Sequence, residues 1–457
     1  MEEAPEVSGL LTLARLDTRG GAAARVFVLV GIALCAGCGG AGSRERDGAP
    51  GGDGAGDGAL GTNSPSPHVF RKLTLSVDFT CEGATFGDFN RDEVRDVVAG
   101  PFWYEGPTFA VRHQLYPPVA FDPKGYSDCF FMFVHDFDAD GWDDVLLVGF
   151  PGQAAYWLRN PAGSQPSGQS EGAEGAEGAE GAQGAAAAWE RHLVAPVVDN
   201  EAPTFADLTG DGVGELVFST GGRLGWAAPD RERPTDPWTF HPLSPQQGFG
   251  AFTHGLGVGD LDGDGHPDVL EATAWWKQPP SLLQDPLWPR RPQSFGSGGA
   301  QMLTFDVDAD GDADVVTSLA AHRSGLAWYE QQDGGGGAVT FVQHVIVPDD
   351  ETGTVGLHEP HALALSDIDA DGLPDIVTGE RFWGHVPGGN PDFGAPARIY
   401  WFQLVRDRAG AHFVPHLIDD ASGVGTQVVV GDVTGDGLAD IVVANKKGAF
   451  VMVHALE

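Results

Sequence analysis

The sequence predicts an all-β protein: a seven-bladed β-propeller of four-stranded antiparallel blades, closed by an N-terminal strand that completes the last blade. Three observations carry the prediction. An acidic nine-residue segment recurs seven times, and each copy is flanked by short apolar stretches of strand type. The chain of 457 residues also holds 67 Gly and 32 Pro but only 20% charged residues, which suits tight turns between strands better than long helices.

The acidic copies begin at Asp88, Asp136, Asp207, Asp260, Asp306, Asp367 and Asp432, at separations of 46 to 71 residues. All fit D-Φ-[DNT]-x-D-[GE]-x-x-[DE]-Φ-Φ, with Φ apolar. Oxygens at positions 1, 3, 5 and 9 can curl around one hard cation, and Gly at position 6 permits the bend. Ca²⁺ takes six to eight such oxygens, so main-chain carbonyl and water would complete the shell. The expected ligands are Asp88, Asn90, Asp92 and Asp96 in the first copy, and Asp136, Asp138, Asp140 and Asp144 in the second. The third copy offers Asp207, Asp211 and Glu215, and the fourth Asp260, Asp262, Asp264 and Asp268. The fifth offers Asp306, Asp308, Asp310 and Asp314, the sixth Asp367, Asp369, Asp371 and Asp375, and the seventh Asp432, Asp436 and Asp440.

Copies two, four, five and six carry the full carboxylate set and are expected to bind best. Thr209, Thr434 and Asn90 at position 3, with Glu93 in place of Gly, mark the other three as weaker or empty. An EF-hand is excluded, because it needs Glu at position 12 and a following helix. Only Glu271 complies, and strand-forming Val, Leu and Ile follow each loop. Seven Ca²⁺ ions would take the formal charge from −39 to −25.

Each loop is preceded by one apolar strand and followed by a second. A third carries aromatics (Trp103-Tyr104, Tyr156-Trp157, Trp226, Trp328-Tyr329, Tyr400-Trp401), and a fourth carries His113, His192, His241, His344 or His416. These aromatic and imidazole groups are read as packing between blades. The seventh repeat ends after its third strand, Phe450 to His454, while a spare fourth-type strand, Val69 to Ser76, precedes the first. Pairing the two leaves no open sheet edge.

The D-x-D-x-D-G-x-x-D loops resemble those of FG-GAP/VCBS-repeat propellers, related to the integrin α-subunit head, over about Val69 to Glu457; Phe86-Gly87 is a trace of the FG pair. The resemblance implies the seven-bladed fold and Ca²⁺. Propellers of this general type also form part of carbohydrate-acting enzymes such as aldos-2-ulose dehydratase and some polysaccharide lyases, and fold analogy does not choose among these roles.

With 26 basic against 65 acidic residues, no basic stripe is available for nucleic acid or for an anionic membrane surface. At the N-terminus, Arg15, Arg19 and Arg25 precede 11 apolar residues, Val26 to Ala36, which describes a secretory signal over 1–38 and is too short for the roughly 20 residues of a membrane span. Leu34-Cys35-Ala36-Gly37-Cys38 resembles the bacterial lipobox, so the chain is expected to be exported, either secreted or as a cell-envelope lipoprotein acylated at Cys38, its only membrane contact. Residues 39–67 read as a flexible linker, 68–457 as the propeller, and 164–188, with its repeated Glu-Gly-Ala, as a low-complexity insertion. Cys81 and Cys129 each lie seven residues before a leading Asp, at one height on neighbouring inner strands. A disulfide and two buried thiols both remain open.

Six residues before each leading Asp stand Glu82, Phe130, Glu201, His254, Ala300, His361 and Thr426, at the rim opposite the acidic loops. Glu82, Glu201, His254 and His361 are the candidates for proton transfer. Loops on the same rim add His358, Glu380, Arg381, His322, Arg323, Trp276 and Lys446 as ligand-binding candidates. Such a set suits an additional divalent metal at the channel mouth, or an anionic or hydroxylated ligand. The expected function is a monomeric calcium-binding module for a carbohydrate or protein ligand. The alternative is a metal-dependent carbohydrate lyase or dehydratase.

Overall fold

The computed structural model describes residues 68–164, 188–336, 338–349, 355–384 and 396–457. The expected signal segment, Cys38, the linker 39–67 and residues 165–187 of the insertion lie outside the described residues.

Among the described residues the regular structure is β, apart from one 3₁₀ turn at Pro161–Ser164. The first repeat shows the unit. Its strands Ala84–Gly87, Asp96–Ala99, Phe102–Tyr104 and Arg112–Gln114 pair antiparallel in chain order, with the acidic loop joining the first two. Successive strands joined by tight turns give this meander because short connections favour neighbouring antiparallel pairs.

The arrangement is propeller-like, but the strands group into five separate four-stranded sheets and one of eight. This corrects the expectation of seven separate blades. In the fourth and fifth repeats the innermost strands, Leu256–Gly259 and Gln301–Phe305, pair in parallel through Leu256 with Gln301 and Gly257 with Met302. Gly257 explains the fusion: a Cβ there would lie 2.0 Å from the Met302 carbonyl oxygen, so only glycine lets the two backbones approach to bonding distance. The N-terminal strand His68–Ser76 pairs antiparallel with the C-terminal strand Gly448–Leu456, as the outer strand of the last repeat's sheet.

The aromatic residues of third strands stack on the histidines of fourth strands directly opposite, within a sheet rather than between sheets. Ring centroids are 4.1 Å apart for Trp103–His113 and Trp226–His241, 4.3 Å for Trp328–His344 and Trp401–His416, and 4.8 Å for Trp157–His192. In the fourth repeat Arg290 takes the place of His over Trp276, 5.9 Å from the ring centroid. Cross-strand aromatic pairs of this kind stabilise a sheet by about 0.2–1 kcal/mol each.

Both faces of the sheets are covered, so Trp275 packs with Met302 and Tyr329 while its neighbour Trp276 packs with Leu208 and Val217. Trp276, expected on the rim, is therefore a core residue, 1% exposed. Cys81 and Cys129 are buried free thiols in the same apolar cluster.

Polar side chains tie together the innermost strands of different repeats. Gln427 accepts from Met132 N at 3.0 Å and donates to Met132 O at 2.8 Å, while Gln301 accepts from Leu363 N and donates to Thr426 O. Gly425 permits the approach, since a Cβ there would meet Glu82 O at 1.9 Å. These glutamine cross-links satisfy backbone groups that could otherwise reach only water.

Candidate functional site

Two regions at opposite ends of the innermost strands concentrate ionisable groups. At one end are the acidic loops. In six of the seven loops the leading Asp accepts backbone N–H bonds from positions 5 and 6, as Asp136 does from Asp140 and Gly141 at 3.0 and 2.8 Å; in the fifth, Asp306 accepts from Ala309 N. Closing that ring puts position 6 in the left-handed region, with φ from 67° at Glu93 to 98° at Gly311. Glycine is favoured there for that reason.

The ninth-position carboxylates are buried. In every repeat one of their oxygens accepts the N–H of position 2, from Phe89 onto Asp96 to Val433 onto Asp440. In six repeats the other oxygen accepts a backbone N–H from beyond or within the third strand, as Asn160 N donates to Asp144 at 2.7 Å. This clamping role was not legible in the spacing. Burial pushes these carboxyls up, Asp96 to about 6, Asp144 to about 8, and Glu215, Asp268, Asp314 and Asp375 to about 7.

Among the described residues, sets of carboxylates with one oxygen each within 4.8 Å of one another include Asp136/Asp138/Asp144, Asp207/Asp211/Glu215, Asp260/Asp262/Asp268 and Asp306/Asp308/Asp314. Hard oxygen donors at that spacing fit Ca²⁺. Some loops also carry a cation of the chain's own. Lys277, on the acidic-loop side rather than the rim, bonds Asp262 and, at 2.7 Å, Asp264; Arg159 Nε is 2.7 Å from Asp138.

At the other end, residues just ahead of the innermost strands converge from different repeats. Arg381 Nη2 lies 2.7 Å from Glu82 Oε1, and its Nη1 lies 2.6 Å from Glu201 Oε1, with all three side chains at most 5% exposed. Glu82 Oε2 also accepts from Ser127 Oγ at 3.3 Å. Glu201 Oε2 faces His254 Nε2 at 3.1 Å. Burial alone would raise Glu201, but the Arg381 guanidinium beside it holds it well below the usual carboxylate range.

The rings of His254, His322 and His361 cluster, with centroids 4.4, 4.9 and 5.6 Å apart. His361 is buried, His254 half-buried and His322 exposed. Burial and Arg381 drive His361 well below its ordinary value, so its imidazole is neutral. Lys446 Nζ donates to Trp383 O at 2.6 Å and lies 4.4 Å from the Tyr126 ring centroid; burial pushes it down to about 8.

The sequence-predicted rim residues thus divide. Glu82, Glu201, His254, His361, His322, Arg381 and Lys446 share one neighbourhood. Glu380 is taken up by the backbone N–H groups of His358 and Arg398 and by the Arg398 side chain, a local brace. Exposed Arg323 offers its carbonyl to Glu359 N. An aromatic strip was missed. Tyr126, Phe150 and Phe252 follow one another at 5.0 and 5.5 Å and run from Lys446 to the His254 turn, where Phe252 O accepts from His254 Nδ1. Tyr126 and Phe150 belong to the second repeat and Phe252 precedes the fourth, so no local grouping signalled it.

Residues 296–378 match the FG-GAP-like repeat and residues 424–449 the FG-GAP repeat, so the chain contains FG-GAP repeats in a propeller-like all-β fold. No curated protein matches. Among solved structures, a lectin of Agrocybe aegerita described for its specific recognition of non-reducing terminal N-acetylglucosamine is 15% identical over 68% of this chain and 73% of its own, with a TM-score of 0.39. AofleA from Arthrobotrys oligospora is 12% identical over 70% of this chain and 81% of its own, with a TM-score of 0.37.

Proposed function

We propose that this chain is an exported, calcium-bound recognition module that holds a carbohydrate at the rim opposite its acidic loops. Counted by acidic loop, the eight-stranded sheet represents two blades that share a glycine-mediated seam. With the five separate sheets it makes seven, and pairing of the two chain ends closes the ring. On this reading Ca²⁺ pins the loop end, export uses the N-terminal segment with Cys38 as an acylation site, and the other end is free for a ligand.

One observation carries the carbohydrate reading: a buried Arg/Glu/His network from several repeats lies beside a partly exposed aromatic strip. A sugar presents hydroxyls on its edges and C–H groups on its faces, which suits polar groups flanked by aromatic rings. Phe252, 51% exposed, supplies the outermost ring. The test is a glycan array probed with the full chain. Binding that falls tenfold or more in Phe252→Ala supports the proposal, whereas an array without signal would shift it to a protein ligand.

A second reading, a metal-dependent carbohydrate lyase or dehydratase, draws on the neutral His361 beside His254. Release of an unsaturated or dehydrated sugar product, abolished in His254→Ala, would establish it.

A further inference from the structure

We infer that His254, His322 and His361 form a binding site for a transition dication of the zinc class, separate from the acidic loops. This deepens the recognition reading above and rests on it only for the ligand that completes the metal's coordination.

The geometry carries the inference. One ring nitrogen from each histidine lies within 4.8 Å of the other two. His254 Nδ1 is 2.7 Å from Phe252 O, and His361 Nδ1 is 3.0 Å from Glu359 O. A backbone carbonyl accepts only from N–H, so both imidazoles carry a proton on Nδ1, which in the neutral ring leaves the lone pair on Nε2. Fixing the tautomer through a carbonyl is how proteins prepare histidines to ligate a metal.

His254 Nε2 then meets an anionic oxygen, Glu201 Oε2, at 3.1 Å. A lone pair and a carboxylate at that distance repel unless a positive charge sits between or beside them. A metal would supply that charge; the rival is a proton, making His254 an imidazolium. Imidazole nitrogen selects zinc-class ions over Ca²⁺, which prefers all-oxygen shells.

The gradient of exposure gives the site its access. Buried His361 forms the floor, half-buried His254 the wall and exposed His322, on a turn, the outer edge. Three protein nitrogens leave the fourth position of a tetrahedral zinc for a water or for an oxygen of a bound ligand.

The experiment uses the full chain, stripped of metal by dialysis and returned to excess Ca²⁺, then titrated with Zn²⁺ against a chromophoric chelator. One tight equivalent is expected, insensitive to Ca²⁺. His322→Ala, a change at an exposed position, should weaken it tenfold or more, and His254→Ala further. Co²⁺ in place of Zn²⁺ should give visible d–d absorption that His322→Ala alters. Unchanged zinc affinity in both variants, no tight equivalent, or its loss in Asp308→Asn instead, would overturn the inference. The two readings fail separately. A glycan-binding protein whose affinity ignores Zn²⁺ and His322→Ala sinks the metal site alone, whereas tight zinc with no glycan bound sinks the ligand alone.

Discussion

Arg381 and Glu82 stand 299 residues apart in the chain, yet their side chains meet at 2.7 Å with both 1% exposed. The same guanidinium holds Glu201, so one cation compensates two carboxylates removed from water. Charges buried in this way are costly to leave unpaired, and breaking such a pair costs about 3–5 kcal/mol. Arg381→Met is therefore expected to lower the urea midpoint steeply. Glu82→Gln with Glu201→Gln in that background should recover part of the loss, because the carboxylates left behind then carry no charge. Additive losses in the triple variant would show that the network does not act as a unit.

How much of this was legible in the sequence follows from what each feature depends on. The acidic loops are local: nine residues fix their own hydrogen bonds, so repeat spacing located every one. The convergence of Glu82, Glu201, His254 and His361 was legible too, because equivalent positions in a repeat reach equivalent places. Arg381 was placed on the rim, but its role as a double clamp depends on three repeats meeting and has no local signature. Trp276 was misplaced because a Trp-Trp pair on a strand with both faces covered looks the same as one with an exposed face. The fused sheet escaped notice for a similar reason: a single glycine, Gly257, decides how closely two backbones pack.

Calcium removal tests the acidic loops. A site saturated a hundredfold above its Kd stabilises the fold by about 2.7 kcal/mol, so chelation with EGTA is expected to lower the Tm by many degrees. The loops should not respond equally. Lys277 already bonds Asp262 and Asp264, which supplies positive charge to the fourth loop from within. Asp308→Asn should reduce the bound calcium by one equivalent, and Lys277→Met should raise affinity at the fourth loop, both read by calorimetric titration. A Tm indifferent to chelator would reduce the loops to acidic turns.

The first loop carries a strain that the others avoid. Glu93 holds φ at +67° where the other six copies have glycine. A side chain in that region costs roughly 1–2 kcal/mol, partly offset by the greater freedom of glycine in the unfolded chain. Glu93→Gly is expected to stabilise the protein by about 0.5–1 kcal/mol in chemical denaturation. A loss of stability would mean that the Glu93 side chain makes up for its backbone.

Gly257 should tolerate nothing larger. The Cβ of Gly257→Ala would sit 2.0 Å from the Met302 carbonyl oxygen, and backbone cannot yield as a flexible side chain can. Overpacking of this kind costs about 1–3 kcal/mol. The same substitution at Gly311, where a Cβ meets nothing within 4 Å, isolates the cost of positive φ alone. If Gly257→Ala proves no worse than Gly311→Ala, the parallel seam between the fourth and fifth repeats is not tightly packed.

Lys446 gives the rim a signature in alkaline pH. Burial depresses its folded-state value to about 8 from the ordinary 10.5. Between those two values the unfolded chain holds the proton that the folded chain has released, so folding stability should rise with pH across that window. The gain is at most about 1.4 kcal/mol for each pH unit. Below pH 8 both states are protonated and this group contributes no slope. Lys446→Met removes the proton from both states and should flatten the window while leaving the profile at lower pH unchanged, as followed by urea midpoints from pH 7 to pH 10. A profile that rises equally in wild type and variant would place the ammonium in contact with water and remove it from the buried network around Arg381.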